Sequence, residues 1–184
     1  MSHKKLLILD LDETLIHSSN QPLAYSCDFE IEDYFVYQRP YLKEFLEAVS
    51  KSYRLAIWSS AVEYYVLGIV SKLAENLPML SIQELEFLWG RSHCTARSSQ
   101  VNKDGYFLKD LDKVKGAGYK LESVLIVEDE SRKVHKHYEN AIFIEPYLGD
   151  TKDGELERLA KYLEKIKAVD NVTELEKRFW DREV

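Results

Sequence analysis

The sequence predicts an α/β domain, a central and mostly parallel sheet with helices packed against it. Short unbroken apolar runs recur at Leu6 to Leu9, Arg54 to Trp58, Ser123 to Val127 and Ala141 to Ile144. Runs of that length read as strands buried on both faces, as in a parallel sheet. Segments with helical spacing lie between and after them. Two of the runs end directly in acids, Asp10-Leu11-Asp12 and Glu128-Asp129. In open α/β sheets, ligand sites sit at that carboxyl edge.

Taken in order, the first strand delivers Asp10 and Asp12, with Thr14 close behind. Two like charges this close repel and raise each other's pKa unless a cation or a shared proton intervenes. Read alone, Asp-Leu-Asp-Glu-Thr is also an acidic turn and helix start with Thr14 as its cap. Ser18 to Ala24 reads as a loop. Cys27 to Ile31 and Tyr34 to Tyr37, separated by Glu32-Asp33, read as a hairpin. Arg39-Pro40 opens a helix with proline in its first turn, and Leu42, Phe45, Leu46 and Val49 form its buried stripe. Arg39 reads as a structural ion-pair partner or as an arginine near a bound phosphate.

The second strand, Arg54 to Trp58, ends in Ser59-Ser60, and Ala61 to Leu73 has helical character. A serine there caps the helix, binds an anion, or both. From Asn76 to Asp104 the pattern weakens, with a strand read at Leu85 to Trp89. Asp104-Gly105 marks a turn, and Lys109 follows. After the third strand come Glu128-Asp129, then His135 and His137 in a segment read as solvated surface. Ala141 to Ile144 is the fourth strand, and Leu156, Leu159, Ala160, Leu163 and Ile166 form an amphipathic stripe. The tail, Val172 to Val184, reads as a final helix folded back on the domain, or as a partner-binding peptide.

With 184 residues the chain is sized for one domain, 1–184. A net charge of −7 argues against a protein living on a phosphate backbone, so nucleic-acid binding is not expected. Cys27 and Cys94 read as free buried thiols. No stretch has signal-peptide or membrane-spanning character. The expectation is a soluble intracellular domain, without a membrane role and of unassigned oligomeric state.

The string Asp-Leu-Asp-Glu-Thr-Leu-Ile-His-Ser, Asp10 to Ser18, closely resembles the first motif of the haloacid-dehalogenase-like (HAD) phosphatases. Glu13, where many of the wider superfamily have glycine, and Ile16-His17-Ser18 point to one branch. That branch comprises the phosphatases of the C-terminal domain of RNA polymerase II and their small NLI-interacting-factor-like relatives. Trp58-Ser59-Ser60-Ala61, Leu108-Lys109-Asp110-Leu111 and Glu128-Asp129 lie where that family has its remaining motifs. The resemblance implies a Rossmann-like three-layer sandwich with a small β insert, here at about 76–104.

It also implies roles. Asp10 is the nucleophile and Asp12 the general acid and base. An acid at position 12, where the related ion pumps carry threonine, implies rapid hydrolysis of the phosphoenzyme. Lys109 reaches the nucleophile and the phosphate. Ser59, with Ser60 as alternate, and Thr14 bind the phosphate. Mg²⁺ is held by Asp10, Asp129 and the backbone carbonyl of Asp12. Glu128 departs from the usual aspartate, and its longer arm bears on which group meets the lysine. Ser131-Arg132 breaks the serine-proline that often follows. Arg91 falls near the family's substrate arginine.

The expected activity is a Mg²⁺-dependent phosphomonoesterase working through an aspartyl phosphate on phosphoserine or phosphothreonine in a protein or peptide. The alternatives are a small metabolite or nucleic-acid end as substrate, or a peptide-binding module on the same fold.

Overall fold

The computed structural model describes residues 4–98 and 105–184. Strand β1 (Lys5–Leu9) leads into β2 (Ile16–Ser19), β3 (Phe29–Ile31) and β4 (Tyr34–Gln38). Then come α1 (Leu42–Val49), β5 (Tyr53–Trp58), α2 (Glu63–Ala74) and β6 (Leu88–Trp89). β7 (Thr95–Ser98) and β8 (Gly105–Leu108) precede the short α3 (Asp112–Gly116). β9 (Val124–Glu128), β10 (Ala141–Phe143) and α4 (Glu155–Ile166) complete the order.

The main sheet runs β10-β9-β1-β5-β6, and every pairing in it is parallel. β1 is central because Leu6 to Leu9 are all apolar and the strand is buried along its whole length. Its residues alternate between two cores. Leu7 and Leu9 pack with the buried stripes of α1, α2 and α4. Leu6 and Ile8 pack on the other face with Trp58, Leu111, Val114 and Val134. The period of two follows from the strand geometry, and burial on both faces explains why no polar residue interrupts it. The expected α/β architecture with a mostly parallel sheet is the one observed.

Several elements differ from the sequence reading. The chain after Asp12 does not begin a helix; it turns and enters β2, whose last two residues, Ser18 and Ser19, fall in the stretch read as loop. β2 pairs antiparallel with β4, and β3 closes the hairpin with Ile31 opposite Tyr34. Glu32, in the turn, takes a left-handed φ of 50°, as tight hairpin turns require. Pro40 lies before the helix rather than in its first turn, since α1 starts at Leu42 behind Tyr41 at φ 63°. Only Leu88–Trp89 of the Leu85 to Trp89 run is strand, and it extends the main sheet beside β5. In the region read as an insert, β7 pairs antiparallel with β8; residues 99–104, including Asp104 of the expected turn, lie outside the described residues. The tail folds back, but as two 3₁₀ turns, Val172–Glu174 and Trp180–Glu183, not a helix. Trp180 is buried against Tyr162 and donates its indole N–H to the Phe143 carbonyl at 2.7 Å.

Of the two readings of Arg39, the structure shows the ion pair. Its guanidinium is buried and forks onto Asp153, Nε to Oδ1 at 2.9 Å and a terminal nitrogen to Oδ2 at 2.8 Å. It also donates to the carbonyls of Thr14 (3.2 Å) and Glu145 (2.8 Å). The side chain thus ties the loop after β1 to the segment after β10. Burial works against the Asp153 carboxylate, but the Arg39 hydrogen bonds hold its pKa below the ordinary value. A depressed pKa contributes stability at neutral pH, lost as pH falls through the folded-state value. Arg39→Met strands Asp153 and two carbonyls, so it should lower the unfolding free energy by about 3–5 kcal/mol. Urea denaturation reads this directly; a loss below about 1 kcal/mol would place the pair with exposed ones.

Candidate active site

Strand register assembles the site. Leu9 pairs with Ile57 on one side and Val127 on the other. Asp10 and Glu128 come immediately after this register, and Ser59 one residue further along β5 past Trp58, so all three emerge at the carboxyl edge. The Asp10 N–H donates to the Val127 carbonyl at 3.1 Å, and the Ser59 N–H to the Trp89 carbonyl at 2.9 Å. Beyond Asp10 the backbone closes a tight loop, Leu15 N–H to Leu11 carbonyl at 2.9 Å and Glu13 N–H to Ile16 carbonyl at 2.8 Å. Glu13 sits in this loop at φ 58°, a conformation glycine adopts without cost and other residues seldom do. Burial, reinforced by Asp12 and Asp129, raises its carboxyl to about 7.

Asp10 and Glu128 are both buried, and two lysines bridge them. Lys109, fully enclosed, places Nζ 2.6 Å from Asp10 Oδ1 and 2.5 Å from Glu128 Oε2. Lys133 approaches the opposite oxygens, Asp10 Oδ2 at 3.4 Å and Glu128 Oε1 at 3.2 Å, and also Asp129 Oδ1 at 3.4 Å. Burial, then repulsion from Glu128, raises the Asp10 pKa despite these cations. For Lys109 burial pulls downward, but Asp10 and Glu128 outweigh it and the net shift is upward. The ligand atoms of Asp10, Glu128 and Asp129 all lie within 4.8 Å of one another. An all-oxygen, acid-rich set of that kind suits a hard divalent cation.

Asp12 is held differently. Among the described residues its hydrogen bonds come from hydroxyls: Tyr65 donates to Oδ1 at 2.6 Å and Ser59 to Oδ2 at 3.4 Å. With its one proton given to Asp12, Tyr65 accepts from Ser18 Oγ at 2.7 Å. Burial lifts the Asp12 pKa, Tyr65 and Ser59 oppose that, and the Asp10 charge adds to it. Beside Asp12 a groove of about 300 Å³ opens between Ser18, Tyr34, Tyr64, Tyr65 and Arg91.

Of the residues proposed from sequence, Asp10, Asp12, Ser59, Lys109, Glu128 and Asp129 meet at this edge. Ser59 Oγ also accepts the Ala61 N–H at 3.0 Å, so it has capping geometry as well. Ser60 is beside it, and its carbonyl accepts from Arg91 Nε at 2.9 Å. Arg91 lies over the Phe107 ring at the groove mouth. Thr14 is fully buried in the loop, and among the described residues its hydroxyl meets no hydrogen-bond partner. His137 is not solvated surface: it is buried, with Nε2 3.1 Å from Asp110 Oδ1. Cys94 is a buried free thiol and Cys27 a half-buried one. Sequence reasoning missed Lys133 and Tyr65. Tyr65 lies on the buried stripe of α2, and a buried tyrosine needs a partner for its hydroxyl. Lys133 had only its spacing of four from Asp129 as a signal. Among the described residues no helix is long and apolar enough to cross a membrane.

Comparison with known proteins places this constellation. The family described as NLI interacting factor-like phosphatase matches residues 5–173. The chain is 31% identical to CTD nuclear envelope phosphatase 1B of Danio rerio, covering 89% of this chain and 67% of that one. It is 30% identical to nuclear envelope morphology protein 1 of Schizosaccharomyces pombe, covering 94% of this chain but 35% of the relative. The chain therefore spans only part of the curated relatives it matches. A solved structure of Fcp1, an RNA polymerase II CTD phosphatase, superposes with TM-score 0.63 at 18% identity, over 90% of this chain and 63% of that one. Fission yeast Fcp1-R271A bound to beryllium fluoride gives 0.59 at 15% identity, over 98% and 54%. With the family match running nearly end to end, the chain belongs to the NLI interacting factor-like phosphatases.

Proposed function

We propose that this chain is a Mg²⁺-dependent phosphomonoesterase acting through an aspartyl phosphate on phosphoserine or phosphothreonine in a protein or peptide. The observation that carries the reading is the contrast between neighbouring acids. Asp10 is fixed by ammonium groups, whereas Asp12, two residues on, is held by hydroxyls. An acid oriented by hydroxyls beside an open groove is suited to exchange a proton with a leaving group. A carboxylate oriented by cations is suited to attack phosphorus.

In this reading Asp10 attacks phosphorus while the ester P–O bond breaks, and Asp12 gives its proton to the departing alkoxide. Asp12 then takes a proton from water, which attacks the aspartyl phosphate, releases inorganic phosphate and restores Asp10. Lys109 neutralises charge at Asp10, and Ser59 offers its hydroxyl to a phosphoryl oxygen. Asp10, Asp129 and the backbone carbonyl of Asp12 would hold Mg²⁺, which supplies charge neutralisation at the transferring phosphoryl group when bound. A protein substrate is supported by the names of some relatives, such as CTD nuclear envelope phosphatase 1B and the RNA polymerase II CTD phosphatase Fcp1, and by the open groove with exposed Tyr34 and Tyr64 along its wall. The general test is hydrolysis of p-nitrophenyl phosphate and a phosphopeptide panel, each with Mg²⁺ and with EDTA. Folded protein inactive under both conditions would favour the peptide-binding module.

Asp10→Asn should cut kcat by roughly 10⁴–10⁶, the scale of losing a catalytic nucleophile, with thermal unfolding confirming the fold. Near-parental turnover would remove Asp10 from the nucleophile role. Asp129→Ala should shift the Mg²⁺ dependence of activity to higher concentration; an unchanged titration would move the metal to other ligands.

Asp12→Asn separates the two proton transfers. Nitrophenolate is a weak base and leaves with little help, so the first step with p-nitrophenyl phosphate should survive while the second fails. The expected trace is a burst approaching one equivalent, then a slow phase. With an alkyl phosphopeptide the first step itself should slow. Rapid-quench kinetics that slow equally for both substrates would make Asp12 a positioning group.

A further inference from the structure

We infer that Lys133 is an internal counter-ion that a divalent cation must displace, so that this lysine sets the metal affinity of the site. The inference rests on the metal reading above. The Lys133 ammonium lies on Asp10 Oδ2, Glu128 Oε1 and Asp129 Oδ1 at 3.2–3.4 Å. Those three residues are the same ones whose ligand atoms cluster closely enough to hold a cation. An ammonium and a dication cannot share one set of carboxylate oxygens without strong mutual repulsion.

Geometry also decides which lysine yields. Lys109 sits at 2.5–2.6 Å from its two acids and has no exposed surface, as strong charge-assisted contacts do. Each Lys133 contact is longer, and its ammonium is spread over several acids. A further one, to Glu130 Oε2 at 3.5 Å, lies outside the metal cluster. Lys133 retains 13% exposure and ends a flexible four-carbon stem, so it can leave the cluster while staying near Glu130. Its backbone cannot drift, because its carbonyl accepts the Lys109 N–H at 2.7 Å. The two lysines are thus anchored together but differ in how tightly each ammonium is seated. Lys109 keeps Asp10 and Glu128 joined, and Lys133 neutralises the oxygens that Lys109 leaves, Asp10 Oδ2, Glu128 Oε1 and Asp129 Oδ1, until a dication takes them.

The test uses the whole chain with MgCl₂ as the probe, by titration calorimetry and by thermal unfolding in EDTA and in Mg²⁺. Lys133→Met should tighten the Mg²⁺ Kd by about tenfold. It should also lower Tm in EDTA, so that the Mg²⁺-dependent rise in Tm exceeds the parent's. Lys133→Arg keeps the charge and should stay nearer the parent in both. A Met variant that folds only with Mg²⁺ supports the inference, since the dication then replaces the ammonium. A Met variant unfolded in both conditions overturns it, as does one that folds and binds Mg²⁺ no tighter than the parent. Parent protein that gives neither heat nor a Tm shift with Mg²⁺ is a different result. It removes the metal reading, and this inference with it.

Discussion

The rest of the site depends on one constraint: two carboxylates, Asp10 and Glu128, are buried side by side at the end of a parallel sheet. Register imposes it. Leu9 is paired with Val127, so the next residue on each strand meets its neighbour. Buried acids left unpaired would cost several kcal/mol each. Lys109 supplies the first remedy from the end of β8, and Lys133 the second from the turn after β9. The β7–β8 pair is therefore more than an appendage, because it carries Lys109 to within reach of the central strand.

A second constraint is the tight loop that swings Asp12 back beside Asp10. Its backbone is held from several directions. Arg39 takes the Thr14 carbonyl, the Tyr147 N–H donates to the Glu13 carbonyl at 2.7 Å, and the Arg39 N–H donates to the Leu15 carbonyl. These contacts come from the chain around β4 and the segment after β10, so the loop is fixed by parts of the molecule distant in sequence. The same contacts hold Glu13 left-handed. A β-carbon is tolerated where glycine would be easier because the surroundings over-determine the backbone.

The elements legible in the sequence were those whose burial leaves a local mark. The central runs of β1, β5, β9 and β10 (Leu6 to Leu9, Leu55 to Trp58, Val124 to Val127, Ala141 to Phe143) are apolar without alternation because both faces are covered, and α1 and α4 carry stripes. β2 was not legible: Ile16-His17-Ser18-Ser19 has no strand pattern of its own and is extended only by pairing with β4. The short β6 is likewise defined by β5. In the site, the acids at strand ends and Lys109 could be proposed because motif and position agreed. Arg39 could not be assigned between its two readings, since its partner Asp153 lies 114 residues away. Lys133 lies in a polar run, Glu130-Ser131-Arg132-Lys133, where nothing local separates a buried ammonium from a solvated one.

Glu128 shows how one departure in sequence propagates through the site. Its two oxygens are divided: Oε2 receives Lys109, while Oε1 accepts the Glu130 N–H at 3.2 Å and faces Lys133. The side chain is fully buried and saturated with donors, whereas the neighbouring Asp129 is only partly buried and, among the described residues, meets one long contact, from Lys133. The acid pair after β9 is thereby split by environment. The longer acid reaches inward and completes the lysine-bridged pair with Asp10, and the shorter one is left facing the open edge. Shortening Glu128 to aspartate would withdraw a carboxylate from between two ammonium groups that are joined through the Lys109–Lys133 backbone hydrogen bond. The length of this arm, the spacing of the two lysines and the exposure of Asp129 are one geometric solution, not three separate features.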